Sequence, residues 1–352
     1  MKLDTIILGA SGLVGAELIR LVTNHNQLEL IAACSRSEKG NFVASVFPHL
    51  ATTNGGIRFT DPADLLGTST SKNPVAVLSA LPHGEAAAIL DTTITELEHL
   101  GREVFVVDLS ADFRFADLNQ WQEVYQATHG APDRVKDFYC GLPDLSPNPD
   151  AKFVAHPGCF TTAVTMACAP LRAAGLTEDR FVAICVTGST GSGRREKPGT
   201  HHPRRHGNMW SYQALSHRHE PEMNMLLSRE GNEKAASVVF VPHSGPFSRG
   251  LHATISTKLL ENSDTEEVVA SMKAFYEGKP SIVVSSKFPD LKNVVGSNAV
   301  HIGVKVKGKE LVVCAAIDNL LKGAAGGAIH WLNRLAGFPE AESLETPGWG
   351  WA

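Results

Sequence analysis

Residues 3–15, LDTIILGASGLVG, constrain the fold more than any other stretch: an apolar run ends in a turn with glycines at 9, 12 and 15. AELIRLVTNH (16–25) follows with Leu18, Leu21 and Val22 at helical spacing, and LELIAACS (28–35) is a second apolar run. Strand, crossover helix and strand make a βαβ unit, whose strands lie parallel with a right-handed connection. Two more strand-like runs, 74–81 and 103–110, alternate with the helical stretch 84–100. The pattern predicts a doubly wound α/β domain. Glycines in its first turn let backbone amides close on a pyrophosphate at a helix N-terminus. Gly9, Ser11, Gly12, Leu13, Val14 and Gly15 are therefore candidate dinucleotide contacts. The spacing is G-x-x-G-x-x-G rather than G-x-G-x-x-G, so a plain strand-to-helix turn is the competing reading. At the end of the second strand an NAD enzyme usually places an acid for the ribose hydroxyls. Here the segment is Cys34-Ser35-Arg36-Ser37. Hydroxyls and a cation suit a 2′-phosphate, which favours NADP(H), held by Ser35 and Arg36, over NAD; a solvent-facing arginine is the bland alternative.

The texture changes after residue 112. Residues 129–158 hold five prolines and several turn signals, among them GAPD and GLPDLSPNPD, and mark a boundary. Beyond it, 180–190, 236–244, 252–260 and 298–317 read as longer β runs, the last folded into a hairpin at Lys307-Gly308-Lys309. Helices are expected at 161–174, 219–229 and 264–276, and again in the tail KGAAGGAIHWLNRLAG. The second region reads as a mixed sheet with helices on one face. A length of 352 residues fits about two domains. The formal charge of −5 disfavours a nucleic-acid partner. No run approaches the roughly 20 apolar residues of a membrane helix, and the start lacks the features of a signal peptide. Six cysteines without a Cys-x-x-Cys pair read as reduced thiols of a cytoplasmic protein.

One of the six stands apart. In His156-Pro157-Gly158-Cys159-Phe160-Thr161-Thr162 a Pro-Gly turn delivers Cys159 to the start of a helix. Thiolate is favoured there by the helix dipole and the first-turn amides, whereas Cys34, Cys140, Cys168, Cys185 and Cys314 sit in apolar contexts and read as structural. His217-Arg218-His219 places two imidazoles and a cation together, suited to acid–base work beside an anion. Upstream, the Gly/Ser-rich stretch from Gly188 through Ser189 to Arg195 precedes the basic run His201-His202-Pro203-Arg204-Arg205-His206. Phosphate or carboxylate binding suits this loop; a solvated basic loop is the competing reading. The clustered histidines show no familiar metal-ligand spacing, so no metal is expected.

Nine segments in order carry a resemblance that covers nearly the whole chain: GASGLVGAEL (9–18), LPHG (81–84), DLSADFR (108–114), YCGLPDL (139–145), HPGCFTTA (156–163), HRHEPEM (217–223), PHSGPFSRGLHAT (242–254), NVVGSNAVHIG (293–303) and DNLLKGAAGGA (318–328). The chain resembles N-acetyl-γ-glutamyl-phosphate reductase, of the arginine pathway, a relative of aspartate-semialdehyde dehydrogenase. The resemblance implies a Rossmann-type NADP-binding domain (1–155 with 319–352) and an α+β catalytic and dimerisation domain with a mixed sheet (156–318). It implies Cys159 as nucleophile and His219, ahead of His217, as base. Arg114, His217, Arg218, Arg249 and Ser189 would hold the substrate, and Asn319, Lys322 and Gly323 would reach the nicotinamide. The reaction implied is attack of Cys159 on an acyl phosphate, release of inorganic phosphate and reduction of the thioester by NADPH. First-turn amides of the Cys159 helix are candidates for stabilising the oxyanion. A homodimer or homotetramer is implied as well.

The chain departs from the family at Phe160-Thr161-Thr162, where Tyr-Pro-Thr is usual, and in the basic loop THHPRRHGN (200–208). A branch of the family reduces an aminoadipyl phosphate capped by an acidic carrier protein, and His201, His202, Arg204 and Arg205 suit such a partner. Carrier-linked aminoadipyl or succinyl substrates are therefore alternatives to the acetylglutamyl one. Aspartate-semialdehyde dehydrogenase itself and a non-catalytic NADP-binding sensor are further readings, the second disfavoured by the presence of both Cys159 and His219.

Overall fold

The computed structural model describes residues 2–66, 72–146, 150–231 and 234–351. The turn signal at 147–149 lies outside them. The chain forms two compact units, residues 1–157 with 324–344, and residues 158–323 with 345–352.

The first unit is built on a seven-stranded sheet of order β3-β2-β1-β4-β5-β7-β6. Its strands are β1 (Leu3–Leu8), β2 (Leu28–Cys34), β3 (Phe59–Thr60), β4 (Val75–Ser79), β5 (Val104–Asp108), β6 (Phe138–Cys140) and β7 (Phe153–Ala155). Every pairing in it is parallel. β1 and β4 are buried throughout, as parallel strands covered on both faces must be. The long helices are α1 (Leu13–Thr23), α2 (Ala86–His99) and α3 (Leu118–Tyr125). The turn-rich region 129–157 is not merely a boundary. β6 and β7 extend the sheet within it, each too short to register as a periodic run.

The second unit holds α4 (Cys159–Ala173), β8 (Arg180–Thr187), β9 (Trp210–Ser211), α5 (His219–Arg229), β10 (Ser237–Ser244), β11 (Leu251–Lys258), α6 (Thr265–Phe275), β12 (Ile282–Ser285), β13 (Val300–Lys307) and β14 (Glu310–Ile317). Its sheet order is β12-β13-β14-β11-β8-β10-β9. β8 and β10 run parallel, as do β12 and β13, while β11 is antiparallel to both its neighbours, so the sheet is mixed. β13 and β14 form the expected hairpin. α4 is buried from Phe160 to Arg172, which suits its nearly continuous apolar and small sequence. The opposite face is less covered: Ile184 of β8 is 46% exposed.

α7 (Gly326–Leu335) returns to the first unit, where Trp331 donates from Nε1 to the Gly141 carbonyl at 3.0 Å. The units differ from the expected domains in three places: residues 156–157 cluster with the first unit, and 319–323 and 345–352 with the second. The reason is local contact. Asn319 accepts the Gly250 amide at 2.7 Å, and the Trp349 amide donates to Val295 at 2.9 Å.

Candidate active site

In the second unit, Gly158 is extended (φ −65°, ψ 158°) and caps α4, which makes Cys159 the first helical residue. Cys159 is the one partly exposed thiol of the six; the others are buried. Burial pushes the Cys34 thiol up to about 12 and raises those of Cys168, Cys185 and Cys314. Burial makes a thiol inert, and partial exposure sets Cys159 apart.

α5 supplies the other half. His219, Glu222, Met223 and Leu226 lie at helical spacing on its buried face. Two polar groups are thus carried inward with the apolar ones. Glu222 is fully buried, and its Oε2 accepts the Gly158 amide at 3.0 Å and the Thr161 hydroxyl at 2.9 Å. The carboxylate ties the Cys159 helix to the helix of the imidazole. It also occupies one N-terminal amide of α4, so Gly158 does not contribute to an oxyanion site. A β-carbon built on Gly158 would lie 2.8 Å from His219 Cδ2 and nearer still to Cε1 and Nε2. The imidazole therefore rests over the residue that precedes Cys159, in space only glycine leaves open.

His217 stands behind. Its Nδ1 accepts the His219 amide at 3.1 Å, and its ring lies 4.6 Å from that of His219, 5.4 Å from Phe240 and 5.6 Å from Phe160. Burial, with the Arg218 charge beside it, lowers the His217 pKa to about 4. A neutral ring with Nδ1 already accepting supports the backbone and is a poor base at neutral pH.

Gly323 closes the far side: its β-carbon would lie 2.7 Å from Cys159 Cβ. The turn that carries it is built on Asp318, which is fully buried. Asp318 Oδ1 accepts the amides of Leu320 and Leu321 at 2.8 and 3.1 Å, and Oδ2 accepts Gly296 N at 2.7 Å and Arg249 Nε at 2.6 Å. Asn319 joins Gly250 to the Thr190 hydroxyl, next to Ser189, whose amide donates to Phe247 at 3.1 Å. Lys322 is 1% exposed. Arg218 is exposed at the start of α5. In the basic loop, Arg205 is buried and donates to Ser244 Oγ at 2.8 Å, whereas Arg204, His201, His202 and His206 are exposed.

The first unit carries the remaining candidates. Gly9 adopts φ +74°, and a β-carbon there would lie 2.6 Å from the Ala80 carbonyl. The turn thus passes over the end of β4, at the point where strand order reverses, the place where open α/β sheets bind ligands. Gly15 is equally tight against Ala10, so the first turn of α1 packs close on the loop that leads into it. Gly12, Leu13 and Val14 are part-exposed at the helix start. Ser11 and Ser35 share a hydrogen bond of 2.7 Å, and Arg36 beside them is exposed. Arg114 is buried, with Nε donating to the His156 carbonyl at 3.0 Å and an Nη to Leu109 at 2.8 Å. These two bonds serve the backbone rather than a ligand.

Sequence reasoning missed Glu222 and Asp318 as members of the site. Glu222 is three residues from His219, which puts both on one helix face; that spacing was the available signal. Asp318 at a strand end had none.

A parallel nucleotide-type sheet followed by a mixed-sheet unit with a helix-borne cysteine beside an imidazole defines the semialdehyde dehydrogenase class. Residues 4–152 match the semialdehyde dehydrogenase NAD binding domain, and 159–319 the semialdehyde dehydrogenase dimerisation domain. Aspartate semialdehyde dehydrogenase II from Vibrio cholerae has the same fold, at TM-score 0.72 and 15% identity over 96% of this chain and 99% of that one. The Candida albicans enzyme, solved with NADP, gives TM-score 0.69 at 17% identity, covering 96% and 99%. Sequence relatives narrow the class. The N-acetyl-gamma-glutamyl-phosphate reductase of Methanocaldococcus jannaschii is 36% identical over 98% of both chains, and that of Symbiobacterium thermophilum 35% identical over 99% of both. The chain belongs to the N-acetyl-γ-glutamyl-phosphate reductase family. Both relatives carry the acetylglutamyl name, so the aminoadipyl alternative is not favoured.

Proposed function

We propose that the protein reduces N-acetyl-γ-glutamyl phosphate to N-acetylglutamate semialdehyde with NADPH, releasing phosphate, in arginine biosynthesis. The observation that carries the chemistry is the His219 imidazole resting over Gly158, against the residue that begins the helix at Cys159. His219 takes the Cys159 proton, and the thiolate attacks the acyl carbon. Phosphate departs and carries off that proton, leaving a thioester. NADPH, bound at the first-unit turn, would supply the hydride that turns the thioester on Cys159 into a hemithioacetal oxyanion. Collapse of the oxyanion breaks the C–S bond, frees the aldehyde and regenerates the thiolate.

His217 keeps His219 oriented through the hydrogen bond to its amide. Glu222 holds the start of α4 against α5. Arg218, exposed, and Arg249, held by Asp318, are the cations placed for the substrate's anionic groups. The first-unit turn fits the dinucleotide: a glycine cradle at Gly9, paired hydroxyls at Ser11 and Ser35, and the exposed Arg36 in place of an acid, which suits the 2′-phosphate of NADP(H).

Self-association uses the open face of the second sheet, where Ile184 is 46% exposed, giving a homodimer or a tetramer built from it. Among the described residues, no helix is long and apolar enough to cross a membrane, and no group of three or more His, Cys, Asp or Glu stands placed for a metal. A cytoplasmic place suits six free thiols.

The test runs the reaction in reverse, with NADP, phosphate and N-acetylglutamate semialdehyde, beside a Cys159→Ser control and the aminoadipate aldehyde. Phosphate-dependent NADPH formation with the first aldehyde, lost in the control, is expected. Turnover with the longer aldehyde alone would refute the substrate.

A further inference from the structure

Residues 345–351 belong to the second unit, although the preceding stretch 324–344, with α7, belongs to the first. Four contacts fix the segment. The Gly350 amide donates to the Lys292 carbonyl at 3.2 Å and the Trp349 amide to Val295 at 2.9 Å. Gly348 packs on the Asn293–Val294 backbone, where a β-carbon would meet Val294 N at 3.2 Å. Gly296, at φ +87°, leaves room for the Trp349 indole, whose Cδ1 would stand 2.5 Å from an added β-carbon. The indole is thus seated by backbone on one side.

Its other neighbour is Arg249, whose guanidinium carbon lies 5.1 Å from the Trp349 ring centre. The arginine side chain is only 12% exposed, although it belongs to a loop, and its Nε is held by Asp318 at 2.6 Å. Asp318 in turn organises the turn to Gly323, which backs Cys159. An arginine clamped between a carboxylate and an aromatic face has its fork fixed in one plane, which is what recognition of a planar or tetrahedral anion needs.

We propose that Trp349 is a positioning residue for substrate: it covers Arg249 and holds the guanidinium, braced on Asp318, in the orientation that binds an anionic group of the acyl phosphate. Asp318 keeps three backbone donors without the indole. The Cys159 wall therefore survives loss of Trp349, and the effect falls on substrate binding rather than on the chemical step. The proposal rests on the acyl-phosphate reading of the site.

The experiment compares Trp349→Ala, Trp349→Phe and Trp351→Ala in the full chain. Trp351 is 94% exposed and serves as the control. In Trp349→Ala the KM for the aldehyde or for phosphate rises about fivefold or more, kcat and the KM for NADP stay within about twofold, and Trp349→Phe restores the wild-type values. A second readout does not need turnover. Phenylglyoxal, with peptide mapping, modifies Arg249 several-fold faster in Trp349→Ala than in wild type or Trp351→Ala. Unchanged KM values together with unchanged Arg249 modification would overturn the proposal. So would a fall in kcat, KM and melting temperature together that phenylalanine does not rescue. Wild-type protein inactive on the acetylglutamyl aldehyde would instead sink the function reading, with the modification rates still deciding the role of Trp349.

Discussion

Replacing Gly158 by alanine isolates the contribution of the His219 position to activity. Gly158 sits at φ −65° and ψ 158°, a conformation open to any residue, so the backbone carries no strain from the change. The added methyl would stand 2.8 Å from His219 Cδ2, and closer to the two atoms beyond it. Ordinary contact needs more than 3 Å, so the imidazole must retreat by on the order of 1 Å. Phe160, 5.9 Å away, and His217, 4.6 Å away, limit where it can go. A misplacement of that size costs about 100-fold in the chemical step. We expect Gly158→Ala to fold with a melting temperature near wild type, to bind NADP normally, and to lose about two orders of magnitude in kcat. Initial rates of the reverse reaction measure the loss, and circular dichroism melts measure the fold. Near-wild-type kcat in a well-folded Gly158→Ala would mean that His219 is not the group that moves the proton.

Three other perturbations probe the same framework. Glu222→Ala leaves the Gly158 amide and the Thr161 hydroxyl without their buried acceptor and should cost about 2–4 kcal/mol in urea unfolding, whereas Glu222→Gln keeps an acceptor and costs less; equal losses would contradict the tether. Stability against pH should reveal two opposed groups. Burial raises Asp108 from 3.8 to about 6, so its contribution of about 3 kcal/mol is full below pH 4 and lost as pH rises to 6. Burial lowers His217 from 6.5 to about 4, so its comparable contribution is full above pH 6.5 and lost as pH falls to 4. Asp108→Asn should therefore show stability rising with pH between 4 and 6.5, and His217→Phe the reverse; the same slope in both would refute the assignment. Ile184→Glu puts a charge on the open sheet face and should shift sedimentation toward monomer without unfolding the chain; an unchanged mass would place the interface elsewhere.

Much of this was legible in the residues. The βαβ start, the hairpin at 307–309 and the helix beginning at Cys159 all follow local rules: alternation or continuity of apolar residues, a glycine where φ is positive, a turn before a helix. Long periodic segments announce themselves because many residues vote together. β6 and β7 span three residues each and exist because the sheet edge next to β5 offers them partners, so no local signal precedes them. The site divides in the same way. Cys159, His217 and His219 were legible as candidates near turns, but that His217 Nδ1 accepts the His219 amide, and that burial lowers its pKa to about 4, emerges only from the fold. Arg114 reads as a substrate cation from its motif, and only the structure adds that it also donates to the His156 and Leu109 carbonyls.

By itself the sequence determined the class of structure and the family, because periodicity, glycine placement and nine ordered motifs are properties of the chain read locally. Only the tertiary structure decided the partners: Glu222 on Gly158 at the start of the Cys159 helix, Asp318 on Arg249, Trp349 over Arg249. Gly158 and Glu222, Arg249 and Asp318, and Arg249 and Trp349 lie 64, 69 and 100 positions apart. Contacts at that separation are set by how helices and sheet pack once the backbone's hydrogen bonds are satisfied, and no local pattern encodes them.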